Sequence, residues 1–310
     1  MQAAAVAGFG LLLSDHEVLM DRTDELREKA IPNPFEPYGR IVYQTRPEAP
    51  NQIYVVGQWH EHPITKAVTP EVIRVQSEIF RIGERMVKKR SLELILLEGI
   101  FEGESQEVRN ENVRKIRGAL QKEGLLESMH TFDDTTLERL IDIRKKGIIN
   151  AQGGYWLAIA YGLTIQGADD ADLHRLELQT IGGKYRVSGL SGVVRTAAGK
   201  VIQEFVAIDD YLNQLRTAYT LLNTPRIIEQ EYAAKRIKQR KALMVIGAEH
   251  IPDCIEFVKN DHARCIPPSS SKAPPLDQPL GYAAAGYGVT IIMPRTVERT
   301  VEHIVEQAKK

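Results

Sequence analysis

"IYVVGQWHEHP", residues 53 to 63, decides how this chain is read. A short, continuous apolar run with two valines ends at Gly57, and His60 follows three residues later. Such a run, closed by glycine, predicts a buried strand rather than a surface one. The pattern returns in "ALMVIGAEHIPD", residues 242 to 253, where Gly247 precedes His250 by the same interval. Each unit is followed by a possible helix and then by another apolar run: "LELILLEG", residues 92 to 99, after the first, and "YGVTIIMP", residues 287 to 294, after the second. This is a two-fold internal echo, the mark of a duplicated unit.

The echo has a chemical consequence. Glycine lets the backbone leave a sheet at an angle that a side chain would obstruct. Ligands of open α/β sheets bind outside the carboxyl ends of the strands. Two such elements side by side would aim His60 and His250 at one cavity. Carboxylates are expected to join them. Glu98 closes "LILLEG", while Asp169 and Asp170 close "LTIQGADD", residues 163 to 170. Glu61, His62 and Glu249 flank the two histidines. Two imidazoles with one or two carboxylates suit a divalent metal that keeps one position open. Without metal, the same groups suit general acid–base chemistry near neutral pH. The other five histidines, His16, His130, His174, His262 and His303, stand in charged or loop contexts and read as ordinary residues.

Composition narrows the classes. The chain has 310 residues, is 43% hydrophobic and 26% charged, and carries a net charge of -1. It has no basic footprint for nucleic acid and no general attraction to anionic membranes. The basic run "AAKRIKQRK", residues 233 to 241, reads as the solvated face of a helix. Cys254 and Cys265 form no zinc-type pair and read as two free thiols. No stretch reaches the roughly 20 apolar residues of a membrane span. The opening "MQAAAVAGFGLLLS" is like the apolar part of a signal peptide but lacks its basic start. Cytoplasmic and exported readings both stay open, and membrane association is expected only through this segment.

Along the chain, residues 1–39 read as an N-terminal extension and 40–310 as one domain. "RIVYQ" and "QIYVVG" flank a turn-rich spacer suited to a hairpin. Val72, Val75, Ile79, Ile82 and Met86 recur at helical spacing after Thr69-Pro70, a cap followed by a first-turn proline. Residues 105–147 look helical and charged, part of an insertion over about 105–160, and Gly162 closes the helix "YWLAIAYG". "GGKYRVSGLSGVVRTAAGK", residues 182 to 200, reads as a hairpin or flap. Two helices are predicted over 201–222 and 225–240, meeting at "NTP". A proline-rich loop, a last strand and a helix over 296–309 follow. The fold class is α+β, or α/β-like: a mixed sheet built from two related halves, flanked by helices.

At "VVGQWHEHP", "LILLEG", "LTIQGADD" and "MVIGAEH", in that order, the chain resembles the superfamily that joins Tiki and TraB proteins, erythromycin esterases and ChaN-like proteins. The resemblance implies an α+β core of two related halves with the active cleft between them. Within that superfamily, Tiki proteins are metal-dependent proteases, and erythromycin esterases open a lactone with histidine and glutamate and no obligatory metal. ChaN-like members bind haem or iron. Carried over, His60 and His250 match the family histidines, Glu98 matches its glutamate, and Asp169 or Asp170 stands at its strand-end acid. "GQWHEHP" departs from the Tiki and TraB wording around the first histidine, which leaves the branch and the substrate open. The expectation is a hydrolase with His60, Glu98 and His250 as catalytic and metal-binding residues. It would hold Mn, Co or Zn and act on a peptide, ester or amide. The alternative is a haem or iron binder without turnover, with Tyr54, Tyr155, Tyr161 and Tyr282 available as further ligands.

Overall fold

The structure, a computed structural model, describes residues 33–61, 67–101, 106–128, 134–145, 152–176, 195–269 and 275–308. His62, most of the expected flap (182–194) and residues 1–32 of the expected N-terminal extension lie outside the described residues. Residues 33–38 form a turn that packs on the domain. Phe35 is buried there, and Arg85 donates to the Pro34 carbonyl at 2.6 Å.

Six strands form the central mixed sheet: β1 (Gly39–Thr45), β2 (Asn51–Gln58), β3 (Leu94–Leu97), β4 (Thr164–Gln166), β5 (Lys241–Gly247) and β8 (Tyr287–Pro294). Their order is β1-β8-β2-β5-β3-β4. Every neighbouring pair is parallel except β1 with β8. β6 (His262–Cys265) and β7 (Leu276–Pro279) make a separate antiparallel ribbon. The helices are α1 (Pro70–Arg90), α2 (Gln106–Lys122), α3 (Asp134–Lys145), α4 (Gly153–Tyr161), α5 (Arg195–Ala233), α6 (Ile251–Asn260) and α7 (Arg295–Ala308).

Continuous apolar runs became the central strands. All residues of β3 and β8 are buried, as are all but the first of β2 and β5. A strand covered on both faces needs this composition, and each buried Val, Ile or Leu contributes about 1.5–3 kcal/mol.

The echo in the sequence is a pair of crossovers in the fold. The connection from β2 through α1 passes over β5 to reach β3. The connection from β5 through α6 and the ribbon passes over β2, in the opposite direction, to reach β8. Right-handed crossovers that run in opposite directions place their helices on opposite faces. Accordingly α1 packs with α3, α4 and α7, whereas α6 packs with α5. Between β2 and β5 the sheet therefore has a topological switch point, where a crevice opens at the carboxyl ends.

Several local expectations are corrected. "RIVYQ" and "QIYVVG" do not form a hairpin, because β8 lies between β1 and β2 and pairs with both. An apolar strand buried on both faces outcompetes the local turn. Among the described residues the charged region is helical as expected, but in two pieces, α2 and α3, with α2 followed by a turn in which Gly124 takes φ 62°. The end of the expected flap is helical, since α5 begins at Arg195. The basic run 233–241 follows α5 as a turn, and its arginines are paired: Arg236 with Glu231, Arg240 with Glu229. Thr69 caps α1 by position, but its hydroxyl makes no capping bond.

The expected break at "NTP" is absent, and α5 runs through Pro225. Proline removes one N–H and leaves the carbonyl four residues earlier, Leu221, without its helical partner. Tyr282, buried, donates its hydroxyl to that carbonyl at 2.7 Å. A tertiary donor thus replaces the lost helical one. Cys254 and Cys265 are free thiols, and both are buried. Among the described residues no helix is long and apolar enough to cross a membrane.

Candidate functional site

The two glycine–histidine corners meet at the switch point. Parallel pairing sets Gln58 opposite Gly247 and Gly57 opposite Ile246, so both chains leave the sheet side by side. Glu98 follows β3, on the other flank of β5, and its backbone N–H donates to the Val245 carbonyl at 3.1 Å. The Glu98 carboxylate divides between the halves. Its Oε2 accepts from the Gly247 N–H and lies 3.6 Å from His60 Nε2. Its Oε1 lies 3.5 Å from His250 Nε2 and 3.3 Å from Arg216 Nη2.

Arg216, on α5, was not found by sequence reasoning. It is buried between two carboxylates and makes a second, 2.8 Å bond to Asp169 Oδ2. The adjacent Asp170 has another role. It accepts from the N–H groups of Asp172 and Leu173, capping the turn that follows β4. Asp169 therefore belongs to the site through Arg216, and Asp170 does not. The next residue on α5, Thr217, places its hydroxyl 2.7 Å from His250 Nδ1. Asn213, Arg216, Thr217 and Thr220 recur at helical spacing, so a polar stripe of α5 lies over the sheet edge. That stripe, in a helix otherwise buried through leucine and alanine, is the signal that could have revealed them.

The two histidines differ. The His250 side chain is 1% exposed, and that of His60 is 37% exposed. The side-chain nitrogens of Gln58 and Gln152 flank the His60 ring, 3.1 Å from Nε2 and 3.4 Å from Nδ1. His250 Nε2 is buried with no hydrogen-bond partner. Glu61 is exposed and outside the cluster, and Trp59 is buried in the core. Glu249 folds back over Gly247; a Cβ at Gly247 would stand 2.4 Å from its carboxylate oxygen. Gly247 is thus needed for room rather than for an unusual backbone angle.

Among the described residues, Glu98, Glu249 and His250 form a group whose ligand atoms lie within 4.8 Å of one another and could hold a metal ion. His60 approaches the group through Glu98 without belonging to it. Charge favours a cation. Glu98, Asp169 and Glu249 carry three negative charges and Arg216, bound to the first two, one positive charge, so two formal negative charges remain while both imidazoles are neutral. Spacing agrees: two atoms each about 2.0–2.1 Å from a tetrahedral zinc stand about 3.4 Å apart, against 3.5 Å between His250 Nε2 and Glu98 Oε1. The cavity beside Glu98, Asp169, Arg216, Thr220 and His250 has room for about one water.

Burial pushes the Glu98 carboxyl up, but the imidazoles of His250 and His60 outweigh it and hold it well below the usual carboxylate range. Burial pulls His250 down, and the Glu98 carboxylate, with help from Glu249, raises it above an ordinary imidazole. Each group thus favours positive charge at His250 Nε2, which a proton or a metal ion supplies. The hydroxyls of two expected haem ligands are engaged elsewhere: Tyr161 donates to Glu84 and Tyr282 to Leu221. Tyr54 accepts from Arg90 at 3.2 Å.

Comparisons of the chain with protein families, with curated proteins and with solved structures give no match.

Proposed function

We propose that this protein is a metal-dependent hydrolase of the Tiki/TraB and erythromycin-esterase kind, acting on a peptide, ester or amide. One observation carries the reading: His250 Nε2, buried and without a hydrogen bond, stands 3.5 Å from Glu98 Oε1 in a group with Glu249 at a topological switch point. A divalent ion held by Glu98, Glu249 and His250 would supply Lewis acidity and a water activated near pH 7.

The chain's own residues do the rest. Glu98 stays ionised through the neutral range and joins both halves of the site. His60, partly open to solvent and 3.6 Å from Glu98, would take a proton from an attacking water and pass it to the leaving group. Glu98 Oε2, 3.6 Å from the ring, stabilises the imidazolium so formed. Gln58 and Gln152 hold the ring plane, and Arg216 fixes Glu98 against Asp169.

The test is elemental analysis of protein purified without chelator, followed by hydrolysis assays on peptide, ester and amide panels. One equivalent of Mn, Co or Zn is expected, with turnover lost on chelation and restored by that metal. Undiminished turnover by metal-stripped protein would contradict the reading.

A further inference from the structure

His250 has two ring nitrogens in different surroundings, and the neighbour of one determines the state of the other. Nδ1 lies 2.7 Å from Thr217 Oγ1. The same hydroxyl lies 2.8 Å from the Asn213 carbonyl, one turn earlier on α5, and donates to it. A hydroxyl carries one hydrogen. With that hydrogen on Asn213, Thr217 can only accept from the imidazole. Neutral His250 therefore carries its hydrogen on Nδ1, and Nε2 keeps a lone pair.

On the other side of the ring, Nε2 stands 3.5 Å from Glu98 Oε1, and the carboxylate is anchored there by Arg216 on Oε1 and the Gly247 N–H on Oε2. N–H to carboxylate bonds close to about 2.7–2.9 Å. Nε2 instead has no hydrogen-bond partner. With the carboxylate held at this distance, the tautomer is set from the Thr217 side, and the Nε2 lone pair is left facing the carboxylates, where a cation can take it.

We propose that Thr217 is a positioning residue, which fixes His250 as the Nδ1–H tautomer and turns the Nε2 lone pair toward Glu98 and Glu249. The consequence for metal affinity rests on the hydrolase reading, but the tautomer does not. Partners of this kind typically change metal affinity about 10–100-fold. Thr217 touches neither substrate nor ion; it acts through His250.

The experiment uses full-length, histidine-labelled protein without metal, at a pH raised until the His250 ring shifts no longer change, so that the ring is neutral. Long-range 1H–15N correlation reads the tautomer in the wild type, Thr217→Ser and Thr217→Val, and zinc titration follows. The expected result is Nδ1–H in the wild type and the serine variant. The valine variant, its fold verified by the remaining resonances, should show a mixed tautomer and roughly 10–100-fold weaker zinc binding. A hydrogen on Nε2 in the wild type, or an unchanged tautomer in Thr217→Val, would overturn the proposal. A wild type with the expected tautomer that takes up no zinc would overturn the metal reading and leave the assignment of Thr217 standing.

Discussion

The two glycine–histidine corners are alike in sequence and unlike in surroundings. The first, Gly57 to His60, ends near solvent, its imidazole between two glutamines. The second, Gly247 to His250, ends in the interior, its imidazole fastened to α5 by Thr217 and turned toward two carboxylates. Even the glycines serve different needs. A Cβ at Gly57 would press on Ile251 at 3.1 Å and Met293 at 3.2 Å, whereas one at Gly247 would first meet the carboxylate of Glu249. Two corners alike in sequence thus give two histidines in different surroundings, which under the proposed function would have separate duties, one to hold an ion and one to move a proton. The difference comes from the elements laid over each corner, α5 over the second and the start of α4 beside the first.

The largest effect should come from the histidines themselves. His250→Ala should weaken metal uptake by about 100-fold or more, as expected for loss of a ligand beyond the 10–100-fold of an outer partner. His60→Ala should keep the metal and lose turnover. Equal metal loss in both, by elemental analysis, would make the corners equivalent.

Next is Arg216, which serves both halves through Glu98. Arg216→Met leaves Glu98 and Asp169 buried without their cation and should cost about 3–5 kcal/mol in denaturant unfolding. A loss within 1 kcal/mol would show that these carboxylates do not need it.

The seam between the halves offers a pH test. Glu78 of α1 accepts from the Thr296 backbone N–H and hydroxyl at the start of α7, each at 2.9 Å. Burial raises its carboxyl to about 7, although Thr296 and two arginines pull it down. Its folded pKa lies above the unfolded one, so the native state binds the extra proton. Stability from this group therefore falls as pH rises from about 4.5 to about 7, and is flat above. Glu78→Gln should gain up to about 3 kcal/mol over the wild type across that window. A gain that is independent of pH would remove Glu78 as the cause.

The smallest effect separates the glycines. Gly57→Ala should cost about 1–3 kcal/mol through overpacking and leave metal binding intact. Gly247→Ala should cost less, because a flexible side chain can swing away, but should displace Glu249 and weaken the metal. The reverse pattern in thermal melts and metal titration would contradict the stated roles.

The sequence made the middle of this molecule readable and its coverings obscure. Gly57, His60, Glu98, Gly247 and His250 were visible because a buried parallel strand writes its whole length in apolar residues and its end in glycine. The pairing of β8 between β1 and β2 was not, since register across distant strands leaves no local mark. Arg216 and Thr217 were missed because a helix judged by its apolar face hides a polar stripe that also points inward. Pro225 misled for a related reason: the donor that lets α5 continue, Tyr282, is remote in sequence. Glu249 was a candidate only through its place beside His250, and the fold-back over Gly247 brings it into the group that could hold an ion.

Anomalous scattering from crystals grown with manganese or zinc tests the central claim most directly. The account predicts one ion bound by Glu98, Glu249 and His250 Nε2, with the His60 ring outside its coordination sphere. An ion held by both imidazoles, or a site empty at saturating metal, would contradict it.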